Sequence, residues 1–238
     1  MNPKILSMCS TRNRPKECTR MLNSYFATRS PGSEIVVYVA DNDPYLQEYI
    51  DAFHGKPWLY FIGPHRYMAE VLNYFSCEIF PNCEFYQEVN DDHIYHTMGW
   101  DKELAEAIKK IGGWGMSWAD NRSDHMNSAY MLSGNIVRTL GYFISPLLRH
   151  NYADCQIRDL LTATGKNLMC LVKSAHIEHR CWHDTTKGIG KMAPEDDNTR
   201  FVYSAEQHLY GCAAMKEWKK NYMPIEIRKI QQAMAAET

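Results

Sequence analysis

The sequence predicts an α/β fold built on a largely parallel sheet with helices on both faces. Three observations carry that expectation. Segments of strand and helix character alternate over the first ninety residues, the pattern of strand, crossover helix and parallel strand. The run Glu34-Ile35-Val36-Val37-Tyr38-Val39-Ala40 is nearly continuous in β-branched and apolar residues, as a strand covered on both faces requires. Each predicted strand of this half gives way to a polar turn, and in open parallel sheets the carboxyl ends of the strands form the rim where ligands bind.

Lys4-Ile5-Leu6-Ser7-Met8-Cys9 reads as the first strand, and Ser10-Thr11-Arg12-Asn13-Arg14-Pro15 as a polar turn into a helix through Met21, Leu22 and Phe26. The second strand ends at Asp41-Asn42-Asp43-Pro44, before a helix over residues 45–53. Trp58-Leu59-Tyr60-Phe61-Ile62 is the third, followed by Gly63-Pro64-His65-Arg66 and a helix carrying Met68, Val71, Leu72 and Phe75 at helical spacing. The fourth, Phe85-Tyr86-Gln87-Glu88-Val89, runs into Asn90-Asp91-Asp92-His93. Residues 10–14, 41–43, 63–66 and 90–93 are thereby expected on one rim.

Beyond Asp101 the pattern is less regular. A helix passes through Leu104 and Ile108, Gly112-Gly113-Trp114-Gly115 makes a turn, and residues 116–118 form a short strand. Helices follow over 133–140 and 155–164, then a strand over 167–172 that leads into the histidine-rich stretch from Ser174 to His183. Residues 187–198 have loop composition, and 204–218 is amphipathic enough for a closing helix.

With 238 residues, 45% of them hydrophobic, the chain is sized for a single core. A net charge of −2 gives no bulk electrostatic reason to expect nucleic-acid or membrane binding. The absence of a secretory-type apolar run or a bilayer-length segment predicts a soluble, cytoplasmic protein. The eight cysteines are dispersed without a Cys-x-x-Cys pair and are read as reduced thiols.

Asp91 and Asp92 carry the chemistry. Two adjacent carboxylates closing a buried strand ask for a cation, and oxygen ligands suit Mg²⁺ or Mn²⁺, ions commonly used to hold a diphosphate. The competing reading is a solvated turn, which Asn and Asp favour for local hydrogen-bonding reasons.

At four places the chain resembles the glycosyltransferases of the A-type (GT-A) fold, in particular the inverting family 2 group and small phage-encoded relatives. Ser10-Thr11-Arg12-Asn13-Arg14-Pro15 is similar to the family's turn after the first strand, and Asp41-Asn42-Asp43-Pro44 to the acidic turn after the second. Asn90-Asp91-Asp92 with Gly99-Trp100-Asp101 resembles the metal-binding Asp-x-Asp element and its downstream Gly-Trp-Asp. The stretch from Ala153-Asp154 through Arg158-Asp159-Leu160-Leu161 to Gly165 resembles the helix start that carries the general base. Asn90 stands in place of the first acid and Ala153 in place of the Glu before the base.

The resemblance implies a metal-dependent inverting transferase that moves a sugar from a nucleotide-sugar, UDP-linked donor to a hydroxyl. It implies a single domain, with residues 1–95 as the nucleotide-sugar half, 96–190 as the acceptor and catalytic half, and 191–238 as loop and closing helix. Asp92 would ligate Mn²⁺ or Mg²⁺ together with a late histidine, His179 or, second, His183. Asp91 would contact the ribose or donor sugar. Ser10, Thr11, Arg12 and Arg14 would hold base and phosphate, Asp41 would accept from uracil N3 with Asp43 close by, and His65 and Arg66 either face the diphosphate or are solvated. Asp154 would be the base, with Asp159 as the alternative. Trp114, Trp118, Asp120 and Asn121 are candidates for the acceptor pocket, the tryptophans being equally suited to core packing.

Two other classes compete. His176, His179, Cys181 and His183 are zinc-type ligands for a metallohydrolase, without the spacing of known zinc modules. Lys216, Lys219, Lys220, Arg228 and Lys229 would be the phosphate contacts of a non-catalytic module binding nucleic acid or protein, or else a solvated helix face. The acceptor stays open among a modified DNA base, a glycan and a protein.

Overall fold

The structure is a computed structural model describing residues 4–122, 128–180 and 205–237. Its first half alternates as expected: β1 (Ile5–Thr11), α1 (Pro15–Thr28), β2 (Ser33–Ala40), α2 (Leu46–Phe53), β3 (Leu59–Gly63), α3 (Met68–Asn73) running on into a π-helical turn (Tyr74–Ile79), and β4 (Phe85–Val89). Pro15 lies in the first turn of α1, where its missing N–H costs nothing. Side chains alternate across β1 and β2: Ile5, Cys9, Ile35, Val37 and Val39 enter one core with α1 and α2, while Leu6, Met8, Val36 and Tyr38 enter the other with α3. Both faces are covered, as the unbroken apolar run of β2 required.

The second half holds β5 (His93–Tyr95), α4 (Trp100–Lys110), β6 (Met116–Asp120), β7 (Met131–Ser133), α5 (Gly134–Leu140), α6 (Ala153–Ala163), β8 (Met169–His179), α7 (Ala205–Asn221) and α8 (Met223–Ala236). The eight strands lie in the order β3-β2-β1-β4-β7-β6-β8-β5. Four of the seven pairings are parallel; those of β7 with β4 and β6, and of β5 with β8, are antiparallel. The sheet is therefore mixed in its second half. Residues 121–130 between β6 and β7 are fewer than the dozen or so that a parallel crossover needs, which forces an antiparallel return.

Four elements depart from expectation, the first being β7, where no strand was expected. β8 does not stop at Val172; its register to β6 shifts between Ala119 and Asp120, and it carries on to pair with β5. β5 itself was not foreseen, being three residues in the shadow of the acid pair. The closing helix is two helices, because Pro224 sits in the first turn of α8 and opens it. Their junction is held by the buried Trp218, whose Nε1 donates to Glu226 Oε2 at 2.9 Å. The expected loop 187–198 lies outside the described residues.

Gly99-Trp100-Asp101 is a structural joint. Gly99 caps α4 at φ 72°, a left-handed conformation glycine adopts without penalty, and its N–H donates to Thr28 O at 2.7 Å. The buried Asp101 carboxylate accepts from Ser30 N and Ser33 Oγ, tying α4 to the start of β2. Trp100, fully buried, packs on Tyr25 and Tyr95. Burying a large side chain of this kind contributes roughly 2–3 kcal/mol.

Candidate active site

The site forms where β1 and β4 end side by side. Asn13, at φ 61°, turns the chain after β1; Asn tolerates this left-handed conformation better than most residues. The turn is braced from behind, Asn13 N donating to Asp43 Oδ2 and Arg14 N to Tyr49 Oη. These braces aim Thr11 and Arg14 at the end of β4. Thr11 Oγ1 donates to Asp91 Oδ2 at 2.7 Å, and Arg14 Nη1 lies 3.1 Å from Asp91 Oδ1 and 3.8 Å from Asp92 Oδ2.

The other wall comes from β8. In the antiparallel register His93 lies opposite His179, and Arg180 N donates to Asp92 O at 3.1 Å. His179 Nε2 thereby comes within 3.4 Å of Asp92 Oδ1. Burial opposes ionisation of Asp92, but His179, His93 and Arg14 outweigh it and hold its carboxyl well below the usual range. The converse applies to His179, where burial is outweighed by Asp92 and the ring is more basic than usual. In Asp91 burial wins over Arg14 and pushes the carboxyl up to about 6. Adjacent carboxylates thus have opposite environments, one paired with a cation and one held by neutral and charged donors.

The arrangement suits a divalent cation. Ligand-type atoms of Asp92, His93 and His179 lie within 4.8 Å of one another, and Asp92 Oδ1 is buried with no hydrogen bond of good geometry among the described residues, His179 Nε2 standing 3.4 Å away. His93 is of a different kind from the other two. Its Nδ1 accepts the Asn90 N–H at 3.1 Å, which leaves the neutral ring's proton on Nε2, a donor without a lone pair for a metal. Asp92 and His179 are therefore the two side chains fitted to hold a cation, with oxygen and imidazole ligation of the kind Mn²⁺ accepts.

Asp154 lies in the first turn of α6, at the second helical position, where the helix dipole favours an anion. It is not the N-cap; that position belongs to Tyr152, at φ 70°. The charge of Asp154 is felt by Glu88, Tyr130 and His179, so it faces the acid cluster. Glu88, buried on β4 with Oε2 accepting Ala129 N, is pushed up to about 7, mainly by burial. His150 also faces this cluster, and burial keeps it neutral, down to about 4.

The remaining expected residues divide. Arg12 is half-buried and donates to Asn42 Oδ1 at 2.8 Å, with His65 close enough to feel its charge. Asp41 is exposed at the end of β2, and Ser10 is half-buried near the end of β1. Asp43 is not free for a ligand in the way expected: its oxygens accept from Asn13 N and Tyr45 N, so it shapes the turn. Arg66 is engaged too, stacked 4.7 Å over the Tyr74 ring. Asp120 and Asn121 follow β6 at the same rim, Asp120 accepting from Arg122 N and Asn121 donating to Ser128 Oγ.

Trp114 requires a correction. It precedes β6 and so lies at the opposite end of the sheet, buried, with Nε1 donating to Glu237 Oε2 at 2.8 Å. Trp118 packs partly against the same core. The zinc reading loses a member as well, since His176 stacks on His96 at 4.6 Å and does not join the Asp92, His93 and His179 group. His183 and Cys181 lie outside the described residues. Asp159 pairs with Lys219 at 2.7 Å and with Arg158 at 3.3 Å.

His93, Glu88, Tyr49 and His150 were missed by sequence reasoning. His93 adjoins the acid pair and was visible as a neighbour; the others act through strand and helix packing that no local pattern encodes.

This arrangement of sheet and site defines the class: the chain has the GT-A fold of nucleotide-sugar glycosyltransferases. The particular resemblances are structural. A mannosyltransferase from Pyrobaculum calidifontis, PcManGT, solved with GDP-Man and Mn²⁺, superposes with TM-score 0.56 at 12% identity over 99% of this chain and 75% of its own. Glucosyl-3-phosphoglycerate synthase from Mycobacterium tuberculosis, solved with Mn²⁺, UDP and phosphoglyceric acid, gives 0.59 at 11% identity over 90% and 78%. TarS of S. aureus gives 0.56 at 11% identity over 92% of this chain, which spans only 44% of TarS. No protein-family model and no curated protein sequence matches the chain, so the likeness is one of fold. Among the described residues no helix is long and apolar enough to cross a membrane.

Proposed function

We propose that the chain transfers a sugar from a nucleotide-sugar donor, UDP-linked, to an acceptor hydroxyl with inversion at the anomeric carbon. The observation that carries this reading is the convergence of Arg14, Asp91, Asp92 and His179 at the ends of β1 and β4, with Asp154 facing them from α6.

Asp92 and His179 would hold Mn²⁺ or Mg²⁺, which when bound supplies positive charge against the diphosphate leaving group. One such charge pair at about 4 Å contributes on the order of 4 kcal/mol at an effective dielectric near 20. Arg14 adds a fixed cation on the same side, and Asp91, held by Thr11 and Arg14, accepts hydrogen bonds from the donor's ribose or sugar. Ser10, Thr11, Arg12 and Asp41 line the path for the base, with His65 beside Arg12. Asp154, in the first turn of α6 and facing the acid cluster, takes the proton of the attacking hydroxyl. Asp120 and Asn121 lie on the acceptor side of the rim.

The test is a panel of UDP- and GDP-sugars offered with glycan, peptide and modified-DNA acceptors, read by mass spectrometry. Transfer that persists undiminished in EDTA removes the cation from the reading, and no donor binding by any nucleotide sugar removes the reading itself.

A further inference from the structure

An open surface groove of about 660 Å³ lies between α6 and α7, beside the turn that carries Asp154. Its charge is unlike that of the chain as a whole. Arg158, Lys216, Lys219 and Lys220 line it against a single carboxylate, Asp159, in a protein whose net charge is −2. Asp159 is consumed by Lys219 and Arg158, at 2.7 and 3.3 Å. Lys216 and Lys220 are exposed and have no ion pair among the described residues. Most of the lining surface is apolar, with Tyr152, Cys155, Cys212 and Met215 set among the cations.

Tyr152 and Cys155, which flank Ala153 and Asp154 at the start of α6, are among the residues that line the groove. Arg158 is one turn beyond Asp154 on the same helix face, and both Arg158 and Cys155 feel the Asp154 charge. A ligand seated among the lysines would therefore reach towards Asp154. The position is also rigidly held: Gly211 of α7 packs against the Tyr152 ring, and Arg149 is sandwiched between Tyr67 at 4.6 Å and Tyr210 at 4.1 Å.

We propose that this groove is a phosphate-binding subsite for the acceptor, which makes the acceptor a phosphate-bearing molecule rather than a neutral glycan. The inference rests on the transferase reading for the word acceptor; the subsite itself rests on the groove and its cations. Arg158 and the three lysines would surround a phosphate group while Tyr152 and Met215 cover the part of the ligand attached to it.

The experiment uses the full chain saturated with UDP and Mn²⁺, so that the donor side is filled, and follows amide shifts by NMR during titration with inorganic phosphate, glycerol phosphate and a short single-stranded oligonucleotide. Shifts at Tyr152, Cys155, Cys212 and Lys216 are expected. The double variant Lys216→Ala, Lys220→Ala should weaken phosphate binding about five- to tenfold, from the few-fold effect of each exposed charge, with UDP affinity unchanged. An oligonucleotide binding more than tenfold tighter than phosphate, with steep salt dependence, identifies a phosphodiester source. Preference for glycerol phosphate identifies a small phosphomonoester. Binding that the double variant leaves intact, shifts confined to other regions, or no binding of any of the three probes overturns the subsite. Failure of UDP to bind is a separate result that counts against the transferase reading, and the variant comparison is then made on the chain without UDP.

Discussion

His93 and His179 face each other across the antiparallel pairing of β5 and β8, their ring centroids 4.8 Å apart at 73°. That pairing brings a late histidine to the acid pair at the end of β4. It also gives the two rings different work, His179 beside Asp92 Oδ1 and His93 turned back to accept the Asn90 N–H.

Replacing Asp92 with Ala removes the one carboxylate paired with His179. Manganese binding, followed by calorimetry or electron paramagnetic resonance, is expected to become undetectable, and transfer to fall to the level seen in EDTA. Retention of wild-type manganese affinity in this variant would exclude Asp92 as a ligand.

His93→Ala is expected to separate structure from metal binding. Loss of the acceptor for Asn90 N should cost about 1–3 kcal/mol in thermal or denaturant unfolding, the usual penalty of an unsatisfied buried donor. Manganese affinity should stay within a few-fold of wild type; a loss as large as that of Asp92→Ala would make His93 a ligand after all.

Asp154→Asn keeps the size and the helix position while removing the base. Binding of UDP is expected to be unchanged and transfer to fall by about 10²- to 10⁴-fold, the range typical of a general base. Normal turnover in this variant transfers the role elsewhere, with Asp159 the next residue to examine.

Glu88 gives a pH signature. Burial raises its carboxyl from 4.5 to about 7, so the folded state holds a proton that the unfolded chain releases. Its contribution is therefore full below pH 4.5 and is lost as pH rises through about 7. Glu88→Gln, which keeps an acceptor for Ala129 N, should match wild type near pH 4 and exceed it by on the order of 3 kcal/mol at pH 8, measured by unfolding in EDTA. Parallel stability profiles for the two proteins would contradict this.

Gly211→Ala tests the contact between α7 and the cap of α6. In an open helix the change is favourable by about 1 kcal/mol, but here the new Cβ would stand 2.6 Å from the Tyr152 ring. Overpacking of this kind costs about 1–3 kcal/mol. A lower melting temperature and slower turnover at unchanged UDP affinity are expected, because Tyr152 caps the helix that presents Asp154.

Much of the first half was legible in the sequence. The β-branched run of β2, the polar turn after β1 and the acid pair after β4 are local patterns, and parallel order brings their ends to one rim without further information. Thr11, Arg14, Asp91 and Asp92 were found that way, and they do meet. The second half was less legible because β5 and β7 have only three residues each and most of its strand pairings are antiparallel. Trp114 and Asp120, six residues apart, lie at opposite ends of β6, and composition does not say which end faces the site.

The amino-acid sequence alone determined the layered α/β architecture, the strand ends that form the rim, and the residue types that meet there, because hydrophobic periodicity and turn chemistry are local. Tertiary structure decided that His179 lies beside Asp92, that His93 accepts the Asn90 N–H, that Asp43 and Arg66 are engaged in the scaffold, and that four cations gather beside α6. The place of His179 depends on the register between β5 and β8, the cation group on the docking of α7, and the Asp43 brace on the meeting of the turns after β1 and β2, contacts between segments apart in the chain whose geometry only the packed core sets.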